Sequence, residues 1–140
     1  MTFHPLDGEW AAMLDGMRAW VAASVSGPGG DLDLADDGVR LSVVEALLRD
    51  GIGADETVKL QALGVVLGDV LASILGVPWV VVHDEWGATP GLAVAPGAAL
   101  YPVTMVSKRV EEGRDVDVRF LVQQAAEHAV ALGGATPDVS

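Results

Sequence analysis

Apolar residues recur at helical spacing over most of this chain, and one segment carries them almost all the way round. From Glu56 to Leu75 the residues Leu60, Leu63, Leu67, Val70, Leu71 and Ile74 form a wide arc, broader than the stripe of an ordinary surface helix. That width predicts a long interior helix, with Asp55 as its N-cap and Glu56 well placed against the dipole. Beside the arc lie Gly64, Gly68 and Ala72, spaced i, i+4, i+8. A helical glycine costs about 1 kcal/mol relative to alanine, so two on one stripe predict the close approach of another backbone. Gly76 and Pro78 end the helix.

Two amphipathic helices precede it. Over Asp7 to Val25 the stripe is Trp10, Met13, Leu14, Met17, Val21 and Ser24, with Asp7 as N-cap. Over Asp37 to Asp50 it is Val43, Val44, Leu47 and Leu48, and Gly51 supplies a left-handed stop. Between them a Gly/Pro-rich linker covers roughly 26–37. After the long helix the period changes to two. Trp79 to His83 reads as a strand with Val80 and Val82 on one face and Trp79, Val81 and His83 on the other. Beyond a loop, Leu92 to Ala95 is its antiparallel partner, with Ala93 and Ala95 leaving room for the Trp79 indole, and Ala99 to Tyr101 is a third short strand. Pro102 suits a helix start. Val103, Val106 and Val110 then fit a helix face stopped by Gly113, although the same residues also suit a strand; helix is preferred. Asp115 caps a closing helix faced by Val118, Leu121, Val122, Ala125, Ala129 and Leu132, and 134–140 is a frayed tail. The expected architecture is a single α+β domain over 1–140: N-terminal helices over 1–54, and over 55–133 a core whose long buried central helix packs on a small antiparallel sheet, closed by a C-terminal helix.

Charge narrows the partners. The net charge is −12, which repels phosphate backbones and anionic lipid headgroups and favours a basic protein partner over nucleic acid or membrane. The unevenness matters more: −10 accumulates up to Ser107 and only −2 after it, because Lys108, Arg109, Arg114 and Arg119 cluster there. With no cysteine there is no disulfide or thiolate chemistry. The start, MTFHPLDGEW, lacks a basic segment followed by an apolar one, so no secretory signal is expected and the cytoplasm is the expected location. The apolar run from Leu60 to Val82 holds Gln61, Asp69 and Pro78, which favours a buried helix followed by a strand over a membrane span.

The segment LQALGVVLGDVLASILGVPWVVVHDEWG, followed by LYPVTMVSKRVEEG and DVDVRFL, resembles a bacterial family catalogued as domain of unknown function 3806. The shared features are an LG-x-x-LG-D helix, a W-V-x-V-x-D-E-x-G strand and turn, and a P-x-T-M-V-S-K-R segment, covering Val58 to Leu121. The resemblance implies a bacterial cytoplasmic domain and transfers no activity, cofactor or catalytic residue.

Candidate chemistry is sparse. Elbow, P-loop and zinc-protease motifs are all missing. The candidate binding residues are Trp79, His83, Asp84, Glu85, Trp86, Lys108 and Arg109. Alternation sends His83 and Asp84 to opposite faces, and too few ligands gather for a metal site, so neither metal nor cofactor is expected. Asp69 is a structural candidate: either it is buried and paired with Lys108 or Arg109, or it faces water. The preferred function is a non-enzymatic, acidic cytoplasmic protein-interaction domain with a partner on the Trp79, Val81, His83 face. The alternatives are a small-molecule binder or hydrolase with a cleft near His83, Asp84, Glu85 and Arg109, and an immunity-type antitoxin against a basic toxin. Oligomeric state is left open.

Overall fold

The computed structural model describes residues 1–26 and 35–133. Residues 27–34 of the expected linker and the expected tail at 134–140 lie outside the described residues. In chain order the elements are β1 Thr2–Pro5, α1 Gly8–Ser26, α2 Asp37–Arg49, α3 Thr57–Leu75, β2 Trp79–Asp84, β3 Gly87–Ala95, β4 Ala98–Leu100, a 3-10 turn at Pro102–Thr104, α4 Met105–Glu111 and α5 Val118–Gly133. This is the α+β arrangement its periodicity predicts.

The central rod is α3, buried at nearly every position from Leu60 to Leu71, with Leu60, Leu63, Leu67, Val70 and Leu71 fully enclosed. Burying each such side chain contributes about 1.5–3 kcal/mol, which makes α3 the main source of cohesion. It contacts α1, α2, α4, α5 and the 3-10 turn, while β3 touches it more lightly. Length and composition alone would let α3 cross a membrane; here its apolar surface from Leu60 to Leu71 is mostly covered by the chain's own elements. The arc does not reach as far as expected. Ile74 is 43% exposed, because the last turn emerges from this cover and Ser73 and Gly76 are exposed with it. Nor does Asp55 cap the helix. The N-cap is Glu56, whose carboxylate accepts from the Gly53 amide at 3.0 Å and from Lys59 Nζ at 2.9 Å. The Lys59 bond first, and the amide second, hold the Glu56 carboxyl below its ordinary range.

The glycine stripe is explained by backbone approach. A Cβ on Gly64 would meet the carbonyl oxygens of Pro102 and Val103, and would lie 2.8 Å from the Val103 carbonyl carbon. A Cβ on Gly68 would run into the Trp79 ring and come within 2.9 Å of Pro102 Cβ. Room for the indole therefore comes from Gly68, not from Ala93 and Ala95; Trp79 instead shares its sheet row with Leu92 and Leu100.

The sheet has four antiparallel strands in the order β1-β2-β3-β4. Strand β1 is an addition to the expected three, pairing Thr2–Pro5 with Val80–His83. The expected loop between His83 and Leu92 is also mostly strand: β2 and β3 stay paired to Asp84↔Gly87, leaving Glu85 and Trp86 as the turn. Asp84 Oδ1 accepts from the Trp86 amide at 2.8 Å, and Gly87 takes φ +127°, a region L side chains rarely adopt. Pro90 is tolerated because β4 pairs only with Leu92 to Ala95, so it has no ladder to interrupt on that side.

Two further capping details differ from expectation. The segment after Pro102 is helical, as preferred, and Gly113 stops it at φ +71°. The cap of α5 is Asp117 rather than Asp115: its Oδ1 accepts from the Phe120 amide and its carbonyl from the Leu121 amide. On α5, Val118, Leu121, Val122 and Ala129 are buried, whereas Leu132 is 44% exposed at the end.

Candidate functional site

Asp69 is two-thirds of the way along α3 and is mostly buried, its side chain 12% exposed. Its partner is neither Lys108 nor Arg109 but Arg18 of α1. Arg18 Nε donates to Oδ2 at 2.7 Å, Arg18 Nη2 to Oδ1 at 2.8 Å, and Trp79 Nε1 to Oδ1 at 3.0 Å. This planar fork ties α1, α3 and β2 together. The hydrogen bond to Asp69, ahead of its charge and that of Asp15, raises the Arg18 pKa above its ordinary value despite opposing burial. Scarcity of bases pointed to Lys108 and Arg109; only the packing of α1 on α3 brings Arg18 into reach.

The face expected to receive a partner is already in use. Trp79 packs on Gly68 and bonds Asp69, and Val81, on the same face, is 2% exposed. His83 alone of that trio is exposed, and its ring meets His4 edge-on with centroids 4.3 Å apart, a contact created by the β1–β2 pairing. Asp84 serves the hairpin turn, Glu85 is exposed, and Trp86 stands at the tip with 87% of its surface in water. Among the described residues no three of His, Asp or Glu gather as a metal-binding group.

Lys108 and Arg109, adjacent on α4, serve different surfaces. Arg109 lines a cleft of about 260 Å³ between α4 and α5 with Leu100, Tyr101, Met105, Leu121, Gln124, Ala125 and His128. None of His83, Asp84 or Glu85 contributes to that cleft, so the four residues proposed for one hydrolytic site do not share it. The hairpin reaches it only electrostatically: burial first, then the charge of Asp84, pushes the Tyr101 phenol pKa up. Lys108 instead lines a groove of about 390 Å³ with Trp10, Met13, Met17, Gln61, Pro90, Tyr101 and Val103. That groove continues along α1 into a second hollow of about 460 Å³, walled by Met13, Gly16, Met17, Trp20, Val58, Lys59 and Ala62.

This extended groove was not anticipated. In α1, Leu14 and Val21 are fully buried, whereas Met13 is 36% exposed and Trp10, Met17 and Trp20 are only half-buried. The stripe predicted as core is split between interior and open surface. Gly16 lies in the middle of α1 beside these residues, and a Cβ there would meet no described atom within 4 Å. A sequence signal existed in the crowding of two tryptophans and two methionines onto one helix. A stripe of that width reads equally as core until its neighbours are known.

A crystal structure of a protein from Bacteroides thetaiotaomicron, at 1.50 Å, shares the fold with a TM-score of 0.77 and 17% sequence identity. The alignment covers 91% of this chain and 47% of that one, so this chain spans about half the length of that neighbour. No curated protein matches the chain. The family model for the domain of unknown function 3806 matches residues 41–121, which take in α3, the β2–β3 hairpin, α4 and the first turn of α5. The match carries the Gly64 and Gly68 stripe, the Asp84 turn and the Pro102 to Arg109 segment. The chain belongs to the domain of unknown function 3806 (DUF3806) family.

Proposed function

We propose that this chain is a non-enzymatic cytoplasmic protein-interaction domain, and that it receives a basic amphipathic helix of another protein in the groove along α1. The observation that carries this reading is Gly16. A glycine inside a helix costs about 1 kcal/mol relative to alanine. At Gly64 and Gly68 that cost is matched by neighbours inside the fold, but the space over Gly16 is open. An incoming helix backbone would use that space as the Pro102–Val103 backbone uses Gly64. Met13, Met17, Trp10 and Trp20 supply polarisable, adaptable apolar contact on either side. The charge of −12, with Glu9 and Asp15 exposed on α1, favours a lysine- or arginine-rich polar face on the partner.

Two synthetic helical peptides with one apolar face, but a lysine-rich or a glutamate-rich polar face, test the proposal by fluorescence anisotropy. The basic peptide is expected to bind, and Gly16→Gln is expected to abolish binding without lowering the melting temperature, since the position is exposed and Gln is the better helix former. Equal binding of the two peptides, or full binding to Gly16→Gln, would overturn it.

A further inference from the structure

Arg109, like Arg49 and Lys108, is a cation with no carboxylate partner among the described residues. Five of the eight basic residues, Arg18, Arg40, Lys59, Arg114 and Arg119, hold a carboxylate of this chain. Among the described residues no carboxylate pairs with Arg109; its Nη1 donates to the Met105 carbonyl in its own helix, at 3.3 Å. Arg109 is half-buried and lines a cleft. Tyr101, Gln124 and His128, residues with further hydrogen-bonding groups, line the same cleft, and Leu100, Met105, Leu121 and Ala125 make the rest apolar. A few polar groups set in a mainly apolar concavity are the general form of a small-molecule site.

We infer that this cleft binds a small monocarboxylate with a short apolar tail, its carboxylate on the Arg109 fork and its tail against Leu100, Met105 and Leu121. The planar guanidinium matches a carboxylate with two parallel hydrogen bonds. Tyr101 lines the same cleft, and its phenol, protonated at neutral pH, is able to donate to the same anion. A phosphate dianion suits the cleft less well, because Asp84 acts on Tyr101 and the whole chain carries −12. The volume of about 260 Å³ limits the tail to a few carbons. Tyr101 also lines the groove along α1, but Arg109, Leu121, Gln124 and His128 do not, and the Arg109 substitutions test the carboxylate site independently of the peptide proposal.

Sodium hexanoate is the probe, read by calorimetry and by the absorbance titration of Tyr101, the only tyrosine. Hexanoate is expected to bind at least about tenfold more tightly than acetate, a difference of about 1.4 kcal/mol, and to raise the Tyr101 titration midpoint by adding negative charge beside it. Arg109→Met should weaken hexanoate binding by about tenfold or more, Arg109→Lys should recover part of it, and Arg49→Met should leave it unchanged. Undiminished hexanoate binding to Arg109→Met, equal binding of hexylamine, or an unmoved Tyr101 midpoint at saturating hexanoate would each overturn the assignment.

Discussion

Replacing Asp69 by asparagine keeps the shape of the side chain and removes its charge, so it isolates what the fork to Arg18 contributes. Asparagine has one acceptor oxygen. If that oxygen keeps the Trp79 Nε1 bond now made by Oδ1 at 3.0 Å, the new NH2 faces Arg18 Nε, which now sits 2.7 Å from Oδ2. Donor then meets donor. Breaking a fully buried pair costs about 3–5 kcal/mol, while an exposed pair contributes about 0.2–1 kcal/mol. With Asp69 12% and Arg18 28% exposed, and Arg18 retaining Asp15 at 2.7 Å, the pair lies between these limits, at about 2 kcal/mol. For a chain of this size that is a fall of roughly 6–10 °C in melting temperature. Thermal unfolding followed by circular dichroism reads it, and a double-mutant cycle with Arg18→Met should return a coupling above about 1 kcal/mol. An Asp69→Asn protein with an unchanged melting temperature, or a coupling near zero, refutes the view that this fork ties α1 to α3.

The same substitution should have opposite signs at three glycines. Gly64→Ala drives a Cβ into the Pro102 and Val103 carbonyls, rigid backbone that cannot step aside, and should cost about 2 kcal/mol or more net of helix propensity. Gly68→Ala meets the Trp79 ring; it should cost about 1–3 kcal/mol and reduce the burial of the indole, read as a red shift in fluorescence. Gly16→Ala adds a methyl to open space and should stabilise by about 0.5–1 kcal/mol in urea titration. Tyr101, raised above 10.0 by burial and by Asp84, should titrate above that value by absorbance. Because its folded pKa is raised, its contribution to stability is complete below pH 10 and is lost as pH rises through the folded value; Asp84→Asn should move the midpoint down. Trp86→Ala, at a side chain 87% exposed, should change stability by less than about 0.5 kcal/mol.

Helical segments were readable because their information is local. The stripes over α2, α3 and α5 are regular, and the glycines at 64 and 68 announce close packing before the packing partner is known. What the sequence concealed is non-local. Thr2 to Pro5 is too short to show a period, and becomes a strand only by pairing with Val80 to His83. Arg18 and Asp69 are 51 residues apart, and nothing near either names the other. Thr89-Pro90-Gly91 carries turn chemistry, yet cross-strand pairing with Val80 to Val82 holds it extended. For the candidate site, Arg109 could be named from the sequence, but its companions Gln124 and His128 come from a helix whose docking angle no local pattern specifies.

The two kinds of helical glycine are the strongest support for the proposed helix-binding groove. Helix α3 contains glycine where another piece of the chain needs the space, and the contacts at Gly64 identify that piece as the turn leading into α4. Helix α1 contains glycine where no described part of the chain needs it. The difference does not arise from a general tolerance of α1 for poor packing, since Leu14 and Val21 on the same helix are completely buried. It is confined to the face that carries Met13, Met17 and Trp20, beside the exposed Val58. Large apolar side chains left partly in water around a missing side chain form a concave, adaptable surface rather than isolated exposed residues. Under the proposed reading the occupant is a convex apolar helix, and it is the net charge of −12 on the chain as a whole, not the groove lining with its Lys59 and Lys108, that favours a basic outer face.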